Sequence, residues 1–229
     1  KEIDYILVGD SFTHGACVNR PDDIGSILRK ISNNHVLNLG YKGNGPLSMY
    51  ATLKEYVSKK TKNILWLYFE GNDLDDLTIE LERDILRNYY YDKNFNQNLI
   101  IKQQYIDRQV LKIASDSIIL EDKIISQAIK NSNKQHKFFK FLRLDKSKKV
   151  FISFSKLNKK SDLSIEKFEQ IISLTKELSK DNGSKFYFIY LPQFERYKNK
   201  ANNEQYNRIK TIMSKLNINF IDLHKPHER

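Results

Sequence analysis

The feature that most constrains this chain is a near-continuous apolar run, KNILWLYFE at 62–70, which recurs in kind along the sequence. IDYILVG at 3–9, HVLNLG at 35–40, KFYFIYL at 185–191 and NINFIDL at 217–223 are the others. A strand that is apolar at consecutive positions has to be buried on both faces, which is the condition of a parallel sheet. Helically spaced stretches lie between these runs. Residues 22–33 place Ile24, Ile27, Leu28 and Ile31 on one face, 46–59 start with Pro46 in the first turn, and 164–180 and 203–216 follow. Alternation of this kind predicts an α/β fold: a five-stranded parallel sheet in a three-layer α/β/α arrangement. Between 77 and 150 the pattern changes to helices with Asn/Lys breaks. The expectation is one domain over 1–229, with 77–150 a helical insertion between the third and fourth strands. That insertion reads either as a cap over the strand ends or as extra helices that enlarge the core.

Charge and cysteine narrow the class less sharply. Among 229 residues, 39 Lys+Arg against 28 Asp+Glu give a net charge of +11. Such a balance favours anionic partners, and an AT-biased genome produces the same lysine excess. No recognition helix or aromatic–basic sheet motif is visible, so nucleic acid is not an expected partner. One cysteine, Cys17, excludes an internal disulfide and reads as a small buried apolar residue. No stretch approaches the ~20 apolar residues of a membrane span. Lys1 and Arg229 each fall within a few residues of a strand, so a leader or membrane tether outside the chain, and an extracytoplasmic location, are the expectation. No cluster has metal-ligand spacing, and no cofactor is expected.

Ligands of parallel α/β sheets bind beyond the carboxyl ends of the strands. GDS at 9–11, NLGYKGNG at 38–45, EGND at 70–73 and IDLH at 221–224 all fall there. Ser11 comes directly after a strand and a Gly-Asp pair, where free backbone N–H groups flank its hydroxyl. A nucleophile needs that position, and an ordinary N-cap serine occupies it too.

Gly9-Asp10-Ser11-Phe12 resembles the first sequence block of the SGNH (GDSL-type) hydrolases. Asn38-Leu39-Gly40-Tyr41-Lys42-Gly43 resembles their second block and Gly71-Asn72-Asp73 their third, in the family's order and each at a strand end. The resemblance implies a three-layer α/β/α, flavodoxin-like serine esterase fold. Ser11 would be the nucleophile, and its backbone N–H, that of Gly43 and the Asn72 carboxamide would form the oxyanion hole. Gly43 would be glycine so that its backbone can approach the substrate. Turn formation by Gly43 and Gly45, a turn role for Asn72 and helix capping by Asp73 are the structural alternatives.

The family's fourth block, Asp-x-x-His, has no match. Asp222 is followed by His224 and His227, neither at the right spacing. His224, His227 and, with a poorer reach, His14 are the candidate bases; His35 and His136 read as surface or strand-end histidines. The expected function is hydrolysis or transfer of an ester-bound acyl group, by analogy an O-acetyl group on a glycan. The alternative is a non-catalytic binding module for an anionic glycan that keeps the fold without the base. Tyr89-Tyr90-Tyr91 reads as an aromatic patch that packs the insertion, with stacking on a sugar as the other possibility, and Trp66 reads as core.

Overall fold

The computed structural model describes residues 2–130, 161–198 and 203–224. In chain order the elements are β1 (Ile3–Val8), α1 (Ser11–His14), α2 (Ile24–Ser32), β2 (Val36–Asn38), α3 (Pro46–Tyr56), β3 (Thr61–Phe69), α4 (Asp73–Glu80), α5 (Asp84–Tyr91), α6 (Gln103–Lys130), α7 (Ser161–Asp181), β4 (Lys185–Leu191), α8 (Phe194–Tyr197), α9 (Asn203–Lys215) and β5 (Asn219–Asp222). The strands form one sheet in the order β2-β1-β3-β4-β5. Every pairing is parallel, with Tyr5 opposite Val36, Ile6 opposite Ile64, Trp66 opposite Phe188 and Ile189 opposite Ile221. This is the flavodoxin-like order with helices on both faces, as the alternation of apolar runs predicts. The order reverses at β1, and folds of this kind hold ligands at the strand ends where the order reverses.

The two faces of the sheet are covered unequally. Ile6, Val8, Ile64, Trp66, Tyr68, Phe186, Phe188 and Tyr190 point to one side. There they meet Leu47, Tyr50 and Leu53 of α3, Phe168, Ile171 and Ile172 of α7, and Ile209 and Met213 of α9. The Tyr68 ring lies 5.5–5.6 Å from those of Phe168, Phe188 and Tyr190, a spacing at which aromatic pairs add to plain burial. On the other side Leu7, Val36 and Leu67 are buried with help from Leu28 of α2, while Ile189 and Leu191 are half-buried.

Helix α2 also turns differently from its spacing. Ile24, Ile27 and Ile31 were expected to face the core, yet they are 39%, 40% and 75% exposed. The reason is Gly25. A Cβ there would come within 3.1 Å of the Asn38 side chain, so α2 approaches β2 on its glycine side and turns its isoleucines outward. Cys17, expected to be buried, is exposed in the loop before α2.

Two compact units divide the chain, one made of residues 1–97 and 160–229, the other of 98–159. The first part of the expected insertion, residues 77–97, therefore belongs with the sheet. In the first unit Tyr89 is buried and hydrogen-bonds Glu55, while Tyr91 is exposed. In the second, Tyr105, Leu111 and Ile113 of α6 are exposed. No helix among the described residues is long and apolar enough to cross a membrane.

Candidate active site

Each predicted site residue sits where its strand ends. The chain leaves β1 through Gly9, and Asp10 caps α1 by accepting the Phe12 N–H at 2.9 Å. Ser11 is thus the first residue of a four-residue turn of helix, half-buried. Its hydroxyl has no hydrogen-bond partner among the described residues. The turn is anchored by Thr13, whose side chain is fully buried. A Cβ at Gly9 would meet the Thr13 hydroxyl at 1.9 Å, and one at Gly40 would meet its Cβ at 2.6 Å. Both glycines therefore leave the space in which α1 is held.

The β2 loop is tied to the same turn. Asn38 donates to the Thr13 carbonyl at 2.7 Å and accepts the Gly40 N–H at 2.9 Å. The Tyr41 N–H reaches the Gly9 carbonyl at 3.1 Å. Residues 41–44 then form a β-turn closed by the Asn44 N–H on the Tyr41 carbonyl at 3.1 Å, with Gly43 at φ +80°. Glycine is needed at 43 for that backbone conformation. Within the protein a Cβ there would meet nothing within 4 Å. The Gly43 N–H has no partner among the described residues.

Asn72 follows β3 as the N-cap residue of α4, yet its side chain does not cap the helix. Its Nδ2 donates to Asp76 Oδ2 at 2.6 Å, and its Oδ1 is buried without a partner among the described residues. Ser11, Gly43 and Asn72 therefore lie at the ends of three adjacent strands, β1, β2 and β3. The Phe12 and Phe69 rings, 4.3 Å apart, bridge the first and third of these ends.

The carboxylates around these ends are the feature that sequence reasoning missed. Asp10, Asp73 and Glu80 are all buried. Burial pushes the Asp73 carboxyl well above its usual range; the Asp10 charge pushes it further, and the hydrogen bond from the Phe69 N–H, at 3.0 Å, opposes both. Burial also raises Asp10 and Glu80, and lifts Asp76 to about 6. Asp10 Oδ2 and Asp73 Oδ1 have no partner among the described residues. Glu80 is better served, since it accepts the Gly45 and Leu47 N–H groups at 2.7 and 2.9 Å and so caps α3 from a different helix. A protein of net charge +11 thus has an acidic, largely uncompensated centre. No group of three or more His, Cys, Asp or Glu among the described residues is arranged to hold a metal ion.

No histidine among the described residues bonds to Ser11. His14 turns its Nδ1 to the Gly40 carbonyl at 3.1 Å and packs edge-on against Tyr41. His224 lies just after β5, three strands from β1, a separation of roughly 14 Å at the usual inter-strand spacing. Its ring packs on Tyr197 and Tyr206, and its backbone N–H reaches Asp222 Oδ1 at 2.9 Å. His35 is at the opposite end of the sheet, beside Asp4 at 3.6 Å. His136 and His227 lie outside the described residues.

The neighbouring strand end is built differently. Glu70, two residues before Asn72, is buried and accepts both Arg196 Nε and Nη2. It also accepts the Gln193 N–H at 3.1 Å. The Arg196 guanidinium lies 4.4 Å over the Tyr206 ring and donates to Asn203 at 3.0 Å.

No protein-family model matches the chain, and no curated protein matches it. Among solved structures it is similar to AlinE4, described as an SGNH-hydrolase family esterase, at 10% identity, over 96% of this chain and 76% of that one, with a TM-score of 0.44. An alanine-substituted form of the same esterase gives 10% identity, the same coverage and a TM-score of 0.43.

Proposed function

We propose that this protein is an SGNH-type serine hydrolase domain that cleaves or transfers an ester-bound acyl group. The observation that supports the reading is the placement of Ser11, Gly43 and Asn72 in the segments that follow three adjacent strands, β1, β2 and β3. Ser11 attacks the ester carbonyl. The Gly43 N–H, the Ser11 N–H and the Asn72 carboxamide take the charge that develops on oxygen, where losing one such donor costs about 2.7–4 kcal/mol. A base must accept the Ser11 proton. Of the candidates, His14 is held at Gly40 and His224 packs against tyrosines, which leaves His227, outside the described residues.

The acidic surroundings bear on the substrate. Asp75 is exposed and Asp76 half-buried beside Asn72, so an anionic group at the scissile bond would be repelled. This favours a neutral ester, such as an O-acetyl group on an uncharged sugar.

The test is hydrolysis of 4-nitrophenyl acetate by wild type and Ser11→Ala. The expected outcome is a wild-type rate that falls to the uncatalysed background in the variant. Equal rates in the two would remove the mechanism. A second reading, a binding module without hydrolysis, is supported by the absence of a histidine beside Ser11 among the described residues. Equal rates together with retained glycan binding would favour it.

A further inference from the structure

The carboxamide assigned to the oxyanion hole has an unusual surrounding. An N-cap asparagine ordinarily accepts a backbone N–H of its own helix, and Asn72 does not. One of its N–H groups is held by Asp76 four residues on, at 2.6 Å, and its oxygen is buried with no donor to it among the described residues. Buried polar atoms in native proteins are nearly always paired, so an orphaned acceptor beside a tied donor needs a cause. A half-turn of the carboxamide would set its oxygen against the Asp76 carboxylate, two acceptors facing each other. The charge on Asp76 forbids that arrangement and accepts the cost at Oδ1.

We propose that Asp76 is a positioning residue. Its negative charge fixes the orientation of the Asn72 carboxamide, keeping one N–H engaged and the other free to donate, and protonation of Asp76 releases that orientation. The proposal rests on the serine-hydrolase reading for its consequence in catalysis, though not for its geometry. On protonation the carboxyl gains an O–H, and the orphaned Asn72 Oδ1 becomes the acceptor that this donor lacks. The carboxamide then turns, and the single N–H left free to donate is lost from its place.

The groups that face Asp76 set where this happens. Burial raises its carboxyl to about 6; the Asn72 hydrogen bond opposes this, Asp10 and Asp75 raise it further, and Arg83 lowers it. Asp73 faces it from the first turn of α4, and Glu80 lies one turn further along the same helix, both also acidic. On the β2 side, a Cβ at Gly45 would lie 2.8 Å from the Asp76 Cβ, so the loop before α3 comes close to it.

The experiment follows the side-chain carboxamide of Asn72 in 15N-labelled protein from pH 4.5 to 8, assigned by its loss in Asn72→Ser. The expected result is a change in both N–H resonances with a midpoint near 6, absent in Asp76→Asn. Resonances that stay flat across the range, or that titrate unchanged in Asp76→Asn, overturn the proposal. Should Asp76→Asn not fold, Asp76→Glu carries the test, and an unaltered titration there overturns it equally. Acetyl-ester kinetics supply the second arm. Between pH 7.5 and 5 kcat should fall about tenfold while KM holds, as expected for a group that titrates near 6. A carboxamide that titrates while Ser11→Ala and wild type show the same rate supports the pairing and sinks the hydrolase reading instead.

Discussion

Glu70 and Asp73 are three residues apart in one segment, both buried at the end of β3, and they are treated in opposite ways. Glu70 meets Arg196, the Gln193 N–H and, through the arginine, Tyr206 and Asn203. Asp73 meets one backbone N–H, that of Phe69, and faces the negative charges of Asp10 and Asp76. A buried carboxylate with a matched guanidinium is a structural joint, here between β3 and the segment after β4. A buried carboxylate without a counter-charge is held against its own electrostatics, and such groups gather at functional sites. The difference separates the β1–β3 end, where the proposed site lies, from the braced β3–β4 end beside it.

The comparison breaks first at Arg196. Its removal leaves Glu70 buried and unpaired, which ordinarily costs about 3–5 kcal/mol. Arg196→Leu should lower the urea midpoint accordingly, and a loss below about 1 kcal/mol would mean that Glu70 is reached by water.

The middle effect has the opposite sign. Asp73→Asn keeps an acceptor for the Phe69 N–H and removes a carboxyl whose ionisation burial and the Asp10 charge oppose, so it should stabilise the protein at pH 8 by roughly 1–3 kcal/mol. The folded state binds the Asp73 proton more tightly than the unfolded chain does. The stability that Asp73 contributes is therefore highest below the ordinary carboxylate range and falls as pH rises through the elevated folded value. Asp10, Glu80 and Asp76 shift in the same direction. Thermal melts from pH 4 to 8 should show wild type losing stability with rising pH, Asp73→Asn losing less, and the two converging at pH 4. A gain that persists unchanged at pH 4 would point to packing rather than charge.

The smallest effect is the control. Lys93 and Glu177 pair at 2.9 Å with side chains 70% and 56% exposed. Lys93→Ala should change stability by less than about 1 kcal/mol. A larger loss would show that exposed pairs matter here as much as the buried one, and the contrast would lose its meaning.

Much of the fold was legible because apolar periodicity and burial report the same thing. Runs such as ILWLYF leave a strand no solvent face, and β3 forms between β1 and β4 accordingly. The positions of Ser11, Gly43 and Asn72 at strand ends were legible for the same reason. The outward turn of Ile24, Ile27 and Ile31 was not, since it depends on how closely Gly25 lets α2 approach Asn38. Nor was Thr13, which looks like any loop threonine until Gly9 and Gly40 are seen to make room for it. The carboxylates were hidden because DLDD reads as a solvated first turn of a helix; only the approach of α1 and the β2 loop buries part of it.

By itself, then, the sequence determined a parallel sheet and the level in it at which polar chemistry collects, because hydrophobic patterning is local and is read residue by residue. Which carboxylate met an arginine and which met only other carboxylates was decided by the tertiary structure. Glu70 and Arg196 are 126 residues apart, and electrostatic partnership depends on distance in space and on the water excluded between, neither of which is written in the spacing of the chain.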